Sequence, residues 1–279
     1  MNFRLPSAPD GIMKGVPLKD ILGKEAVECL AHNLSLVYPE FAFVDFVERA
    51  LDNLEPLGIM DRGKRFAVVM QEFLPKPYEA AVEYILASLT PPLKETKDNG
   101  LQVFFYLPHI TFIAEHGLSP DMNAGNDPFG ISMKAQYELT KRFTAEFSIR
   151  PFLIEQQDRT LQQLTQWLDD PDPHVRRLCS EGTRPRLPWA KRIPAFIKDP
   201  TPALPILEAL KDDPSLYVRR SVANHLGDIA KDHPDLVFQI CENWLEDASK
   251  DRKWLIRHAL RHPAKKENSK ALELRKLAK

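Results

Sequence analysis

A short motif that recurs in the C-terminal half constrains the fold more than any other feature of the chain. In each copy a β-branched residue is followed by two basic residues, and an Asp-Pro pair precedes the first two copies. The copies are Val175-Arg176-Arg177, Val218-Arg219-Arg220 and Ile256-Arg257-His258. They lie 43 and 38 residues apart, and repeats of about 40 to 47 residues are typical of stacked helix pairs. The sequence therefore predicts an α-solenoid, in which each repeat contacts its neighbours.

The rest of the chain supports an all-α fold of HEAT-like helical repeats. Apolar residues recur at helical spacing in stretches of about 10 to 20 residues, separated by short connections rich in Pro, Gly or Asp. With 11 glycines and 24 prolines, the composition favours helices that start and stop often over a turn-rich β architecture. We therefore predict a single domain over residues 1–279, with a flexible or loosely docked arm at residues 1–17.

Two segments are harder to assign from periodicity. Residues 90–130 are rich in aromatic and β-branched residues and could form a pair of strands. Because helices surround them, we interpret them as one buried helix broken near Pro108, followed by a polar loop. A further helix is predicted to resume at about Ser132 and to continue to Pro151, with Glu146 near its end.

Several classes of protein are disfavoured. The three cysteines are odd in number and far apart, which indicates a reduced compartment. No apolar stretch approaches the roughly 18 residues of a membrane helix, and the N-terminus lacks the apolar core of a signal peptide. No phosphate loop, nucleophile elbow or metal-ligand spacing is present. We expect a cytoplasmic monomer that needs no cofactor, no metal and no membrane.

The charge is segregated along the chain, although the net charge is only −1. Residues 174–200 contain seven Lys or Arg against two acidic residues, a net charge of +5. Residues 250–279 contain eleven against three, a net charge of +8, so the remainder has a net charge of −14. Basic side chains gathered in one groove bind phosphates. Nucleic acid is therefore a plausible partner despite the neutral total.

The stretch CSEGTRPRLPWAKR, residues 179–192, combines one acid, four basic residues and an indole. Pro185 and Pro188 lack amide protons and disfavour helix at the residues before them. A helix that begins near Pro171 should therefore end around Gly182, and the chain should run extended to about Trp189. The plain alternative is an ordinary loop between helices with solvated arginines.

The chemistry available to this chain consists of carboxylates, arginines and an exposed indole. A carboxylate in a cationic groove can stabilise an oxocarbenium-like sugar, and an aromatic face favours a neighbouring cation. The candidates are Glu146, Glu181, Arg184, Arg186, Trp189, Asn224, His225 and Asp228. Structural alternatives stay open: Arg176 and Arg219 would brace neighbouring repeats, an aspartate would cap each second helix, and Asp228 would be solvated.

Four stretches of the chain resemble the AlkC type of bacterial alkylpurine DNA glycosylases, relatives of AlkD with a HEAT-like repeat fold. The stretches are MDRGKRFAVVMQEFLP (60–75), LTKRFTAEFSIRPFL (139–153), CSEGTRPRLPWA (179–190) and YVRRSVANHLGDIAKDHPDLV (217–237). The resemblance covers nearly the whole chain from about Leu18. Some members of the family have an additional C-terminal immunoglobulin-like domain, whereas this chain ends in KALELRKLAK and is expected to lack one.

The resemblance implies a monofunctional glycosylase of bacterial base excision repair that removes cationic alkylated bases, chiefly N3-methyladenine and N3-methylcytosine, from double-stranded DNA. By motif, Glu146 and Asp228 would be the active-site carboxylates, and Trp189 would lie against the sugar or the lesion. The residues expected to support the site or bind DNA are Glu181, Arg184, Arg186, Lys191, Arg192, Arg219, Arg220 and Asn224. Two alternatives stay open, namely a non-catalytic repeat scaffold and a protein that binds lesions without removing them.

Overall fold

The protein is all-α, as predicted, in the computed structural model, which describes residues 2–97 and 99–279. The chain divides into two compact units, Met1–Ser148 and Ile149–Lys279. Over the described ranges there is no β-strand, and no helix there is long and apolar enough to cross a membrane. Whether the chain behaves as a single domain stays a prediction.

The first unit is built from α-helices joined by short turns and 3-10 helices. Its α-helices are α1 (Lys24–Val37), α2 (Phe43–Leu51), α3 (Ile59–Phe73), α4 (Tyr78–Ala87), α5 (Leu107–His116) and α6 (Phe129–Thr140). Its 3-10 helices are Leu18–Leu22, Gln102–Tyr106 and Pro120–Asn123. Helix α3 packs against α5, α1 against α2 and α4 against α6. The fully buried rings of Tyr78 and Phe112 stack within this core, with their centroids 6.0 Å apart.

The second unit continues the same pattern. Its α-helices are α7 (Ile149–Glu155), α8 (Gln157–Gln166), α9 (Pro173–Gly182), α10 (Pro194–Lys198), α11 (Leu204–Leu210), α12 (Leu216–Ile229), α13 (Pro234–Leu245), α14 (Lys250–Ala259), α15 (Arg261–Lys265) and α16 (Ser269–Leu277). A 3-10 helix at Thr201–Ala203 precedes α11. Helix α12 packs between α9 and α14. The helices that carry the three copies of the repeated motif are therefore stacked side by side, as the repeat predicts.

The N-terminal arm is held by hydrogen bonds to the helical core, so of the two predicted alternatives for residues 1–17, flexible or loosely docked, the structure favours the docked one. The backbone N–H of Arg4 donates to Oδ1 of Asn33 at 2.7 Å, and Nδ2 of Asn33 donates to the Arg4 carbonyl at 2.8 Å. Further along, Leu101 N–H donates to the Pro9 carbonyl at 3.0 Å. A buried asparagine amide needs partners, and the extended arm supplies them.

The segment around residues 90–130 also differs from the prediction. Instead of one helix broken near Pro108, a 3-10 helix leads directly into α5, and Pro108 lies in the first turn of α5. Proline is well tolerated in a first helical turn, where its missing N–H would have no partner in the helix. The region is largely helical and buried, as expected, but Pro108 is the second residue of α5 and does not interrupt a helix.

The helix predicted from about Ser132 to Pro151 begins earlier and ends much earlier. Helix α6 starts at Phe129 and ends at Thr140, so Glu146 lies in a run of turns and not in a helix. The Arg142 side chain donates to the carbonyls of Glu138, at 2.7 Å, and Thr90, at 2.5 Å. The guanidinium of Arg142 thus binds one carbonyl in the last turn of α6 and one carbonyl of a distant segment. The chain turns away from the helix axis at this point, and α6 ends at Thr140.

The repeated arginines brace neighbouring repeats, which confirms the structural interpretation. Nε and Nη2 of Arg176 donate to the Asp213 carboxylate at 2.6 and 3.1 Å, and this contact raises the pKa of Arg176. In the next repeat, Nη2 of Arg219 lies 2.9 Å from the Asp251 carboxylate. Each arginine therefore binds an aspartate of the following repeat.

Two details of the repeat depart from the sequence pattern. Two Asp-Pro pairs, at residues 170–171 and 172–173, precede the first copy. Asp172 of the second pair, and not Asp170 of the first, caps α9 by accepting the N–H of His174 at 2.8 Å. The third copy lies about one turn later in its helix than the others, because Ile256 is near the end of α14 whereas Val218 is near the start of α12. The motif therefore predicts the stacking correctly but does not mark equivalent positions in all three helices.

Gly182, the last residue of α9, packs against Ile149 of α7, and replacing Gly182 with alanine should destabilise the protein. A Cβ at this position would be 2.6 Å from Cγ2 of Ile149, a buried β-branched side chain with little freedom to move. We expect Gly182→Ala to lower the free energy of unfolding by about 1–3 kcal/mol, as overpacked cores do, measured by urea denaturation. The matched control is Gly130→Ala in α6, where a Cβ meets open space. Equal stability of the two variants would contradict this packing.

Candidate active site

The loop that follows α9 is folded into successive turns and is not the extended segment predicted. Thr183 to Ala190 consists largely of turn residues, and the N–H of Ile193 donates back to the Pro185 carbonyl at 3.2 Å. Helix α9 does end at Gly182, as expected. Proline explains the end of the helix, but a long-range side-chain contact from Arg150 fixes the turns. The guanidinium of Arg150 donates to the carbonyls of Gly182 and Arg184 at 2.9 and 2.8 Å.

Trp189 stands at the tip of this loop with its indole in solvent. Its side chain is 66% exposed, and its φ of +64° lies in the left-handed region that bulky residues rarely adopt. Strained backbone persists only where the surrounding structure over-determines it, and such sites are enriched at ligand clamps. The indole is therefore held in solvent at a cost in backbone energy.

Arg184 joins two buried carboxylates from successive repeats. Its Nε and Nη2 lie 2.8 and 2.7 Å from Oδ2 of Asp228 in α12, and its Nη1 lies 2.5 Å from Oε1 of Glu181 in α9. All three side chains are less than a tenth exposed. The predictions placed Glu181, Arg184 and Asp228 in one site, and the fold brings these three together.

The charges within this cluster stabilise one another. Burial favours the neutral acid at Glu181, but Arg177 and Arg184 hold the pKa of Glu181 below its ordinary value. Burial likewise opposes the charge on Arg184, while Glu181 and Asp228 raise the pKa of Arg184. The Glu181 carboxylate and the Arg184 guanidinium are therefore both charged at neutral pH.

The second oxygen of Asp228 is also engaged. Nζ of Lys231 donates to Oδ1 of Asp228 at 2.7 Å, while Oδ2 accepts from Arg184. Asp228 is only 3% exposed, so the alternative that it is simply solvated is wrong. Two cations on opposite oxygens fix the plane of this carboxylate.

Arg261 is a residue of this neighbourhood that the sequence analysis missed. Its Nη2 donates to Oδ1 of Asn224 at 2.9 Å, and its Nη1 donates to the His258 carbonyl at 2.7 Å. Burial and the nearby Arg184 lower the pKa of Arg261, whereas Asp228 raises it. Asn224 is therefore an orienting partner of Arg261 and of the His258 ring, whose Nε2 lies 3.2 Å from the same oxygen. The sequence signal that could have identified Arg261 is its distance of 37 residues from Asn224, which is close to the repeat spacing.

A polar groove with a cavity volume of about 680 Å³ lies beside the cluster. Its lining includes the indole of Trp189 and basic side chains from the loop, from the turn just after α12 and from the turn just after α15. The lining residues are Arg186, Leu187, Pro188, Trp189, Ala190, Arg192, Lys231, Asp232 and Lys266. Arg186 is held by Asp232, to which it donates at 2.7 and 2.8 Å. Arg192, Lys231 and Lys266 are exposed, so the groove presents several cations to solvent.

The remaining predicted site residues fall into four groups. His225 is fully buried, with its Nδ1 3.0 Å from the Ser180 carbonyl. Lys191 and Arg220 are exposed, and the backbone carbonyl of Lys191 accepts from Arg150. Arg219 is buried and engaged in the brace between repeats, which favours the structural role over phosphate binding. Glu146 belongs to the first unit, is 8% exposed, and accepts from the Thr144 hydroxyl at 2.6 Å.

No group of three or more His, Cys, Asp or Glu side chains among the described residues could hold a metal ion. The cysteines Cys29, Cys179 and Cys241 are free and buried, and burial raises the pKa of each thiol. These residues are therefore inert core side chains. What the cluster and groove offer is fixed carboxylates, cations and an exposed indole.

Three comparisons with known proteins agree with one another. A family model described as a DNA alkylation repair enzyme matches residues 129–262. The uncharacterized protein YhaZ of Bacillus subtilis is 38% identical over 258 residues, which are 92% of this chain and 67% of YhaZ. The structure of the Pseudomonas fluorescens alkylpurine DNA glycosylase AlkC, bound to DNA containing an abasic site analog, matches with a TM-score of 0.81 and 37% identity. That match covers 93% of this chain and 67% of the AlkC chain.

Proposed function

Because the chain belongs to the family of AlkC-type DNA alkylation repair enzymes, we propose that it is a monofunctional DNA glycosylase for cationic alkylated bases. Its expected substrates are N3-methyladenine and N3-methylcytosine in double-stranded DNA. The observation that carries the proposal is the buried Asp228 carboxylate, fixed by Arg184 beside a basic groove. We further expect a monomer in the bacterial cytoplasm that uses no cofactor.

The proposed reaction breaks the bond between C1′ of the sugar and the ring nitrogen of the base. The electron pair of that bond moves to the cationic base, which leaves as a neutral molecule, so no strong general acid is needed. The positive charge moves to the sugar as an oxocarbenium ion. Water then adds to C1′ and loses a proton, leaving an abasic site.

The chain has two carboxylates suited to this charge movement. Asp228 is held in one orientation by Arg184 and Lys231, so little reorganisation is needed when positive charge develops on the sugar. We propose Glu146 as a second catalytic carboxylate, with the role of either stabilising the sugar cation or orienting the water. Glu146 is itself oriented by the Thr144 hydroxyl.

Trp189 would recognise the positive charge of the lesion or of the sugar. An indole face attracts a cation by about 0.5–2 kcal/mol, and more when the pair is shielded from water. The left-handed backbone at Trp189 presents the ring to solvent beside the groove. An undamaged, neutral base would gain less from this contact, so the indole would favour cationic lesions.

The exposed cations of the groove should bind DNA phosphates, and this can be measured apart from catalysis. We expect Arg192→Gln and Lys266→Gln each to weaken duplex binding and to reduce the slope of log affinity against log salt by about 1, one phosphate contact each. The control is Lys250→Gln. Lys250 is an exposed residue at the start of α14 and does not line the groove. Duplex affinity measured by fluorescence anisotropy between 50 and 200 mM salt, as is usual for such slopes, checks this.

Two other functions make different predictions. A repeat scaffold would bind duplex DNA weakly, and neither groove variant would change its salt slope. A silent lesion binder would show the full salt slope and prefer a duplex with an abasic-site analogue, but would release no base. Base release from methylated DNA by the folded protein therefore tests the proposal, and its absence would reject it.

A further inference from the structure

Arg150 is the most completely buried charged side chain of the second unit. It lies at the start of α7 and has no exposed surface. Besides Gly182 and Arg184, its guanidinium donates to the Pro185 carbonyl at 3.5 Å, and its Nε donates to the Lys191 carbonyl. These acceptors are backbone oxygens at the two ends of one loop.

This arrangement is unusual for a buried arginine. A charge away from water needs partners, and here backbone carbonyls provide them. Gly182 is the last residue of α9, so its carbonyl has no partner in the helix and lies at the negative end of the helix dipole. The planar guanidinium of Arg150 thus hydrogen-bonds the carbonyl at the end of α9 and links it to the carbonyl of Lys191, nine residues further on.

The segment between the two tied ends carries side chains of the proposed site. Arg184 reaches Glu181 and Asp228 from the near end. Trp189 lies two residues before Lys191, at the far end, with its strained φ of +64°. A left-handed tryptophan is maintained only if its neighbours are fixed. Arg150 fixes the residues on either side of it.

We propose that Arg150 is a positioning residue, which sets the place of Trp189 and of Arg184 for base removal without touching the substrate itself. This inference rests on the proposed glycosylase function. It assigns the strained backbone of Trp189 to the contacts of a single side chain from α7. It also predicts that charge alone cannot replace Arg150, because an ammonium group donates from one point and cannot span both ends of the loop.

The test compares Arg150→Lys with Arg62→Lys. Arg62 in α3 is the matched control because it is also buried, at 2% exposure, and donates to the backbone carbonyls of Leu57, Lys19 and Leu22. Both variants keep their charge and should lose thermal stability. We expect Arg150→Lys to lower kcat for base release at least 10-fold with KM changed less than 3-fold, and Arg62→Lys to keep kcat within 2-fold of wild type.

A second readout does not depend on activity. The fluorescence of Trp189 is obtained by subtracting the signal of the Trp189→Phe version from the signal of each protein. The anisotropy decay of this difference signal reports motion of the Trp189 indole on the nanosecond timescale. We expect faster decay in Arg150→Lys and an unchanged decay in Arg62→Lys. Wild-type kcat and decay in folded Arg150→Lys would overturn the inference. So would a loss of kcat in Arg62→Lys as large as that in Arg150→Lys.

If Arg150→Lys does not fold, Pro188→Gly provides the test. Pro188 is exposed, and glycine there loosens the loop between its tied ends without removing a buried group. The same loss of kcat and faster Trp189 decay are expected, and full activity with a mobile loop would reject the inference. If the wild type releases no base, the proposed function fails, while the anisotropy decay still decides whether Arg150 orders the loop.

Discussion

Replacing Asp228 with asparagine should reduce base release by about 100-fold or more, while DNA binding changes little. Asparagine has nearly the same shape but no charge, so it removes the electrostatic stabilisation of the sugar cation. It also places an amide NH₂ against Arg184 or Lys231, both of which are donors. Single-turnover release of methylated bases from duplex DNA measures the first effect, and anisotropy with an abasic-site duplex measures binding.

The control for this prediction is Asp235→Asn. Asp235 is an exposed carboxylate in the first turn of α13, seven residues after Asp228, and its loss should cost only about 0.3–1 kcal/mol of helix stability. A decrease of less than 10-fold in Asp228→Asn, with the control at wild-type rate, would show that Asp228 is not the principal carboxylate. Glu146 would then be the residue to replace.

The second large effect is expected for Arg184→Met, which should lower the free energy of unfolding. Arg184→Met leaves Glu181 and Asp228 buried without the guanidinium that joins them, and breaking a buried pair by removing one partner costs about 3–5 kcal/mol. Urea denaturation at pH 7 measures the loss. Adding Glu181→Gln to Arg184→Met should recover part of it, because one uncompensated charge is then gone. A loss below about 1 kcal/mol, as for an exposed ion pair, would contradict the burial of this cluster.

The same variant should show a characteristic pH dependence. The pKa of Glu181 is lowered in the folded protein, partly by Arg184. A lowered pKa contributes stability that is present above the unfolded value, about 4.3 for glutamate, and is lost as the pH falls through the folded value. The difference in unfolding free energy between wild type and Arg184→Met should therefore narrow as the pH is lowered below about 4. A constant difference would contradict the assignment to this ion pair.

The sequence predicted the parts of the protein that follow from local pattern and repeat. The offset of 43 residues between Val175 and Val218 predicted that α9 and α12 stack and that their arginines brace the repeats. The same offset places Glu181 and Asp228 near the ends of adjacent helices, where one arginine can bind both carboxylates. Stacking of identical units propagates local periodicity into tertiary contacts, which is why these predictions succeeded.

The parts that the sequence did not predict depend on contacts between distant residues. Arg150 sits in an apolar run and has no periodic signature, yet it folds the loop after α9 into turns. Arg142 reaches the Thr90 carbonyl, 52 residues away, and α6 ends at Thr140. A pattern of helical spacing contains no information about either contact. For the same reason it could not place Glu146 outside a helix.

The most direct test of the proposed function is the release of free base by the wild-type chain. Duplex DNA treated with a labelled methylating agent would be incubated with the folded protein, and the released bases would be separated by chromatography. We predict time-dependent release of N3-methyladenine and N3-methylcytosine above the spontaneous rate, with the strand left intact at an abasic site. No release above the spontaneous rate, from protein that binds the same duplex, would contradict the assignment of a glycosylase.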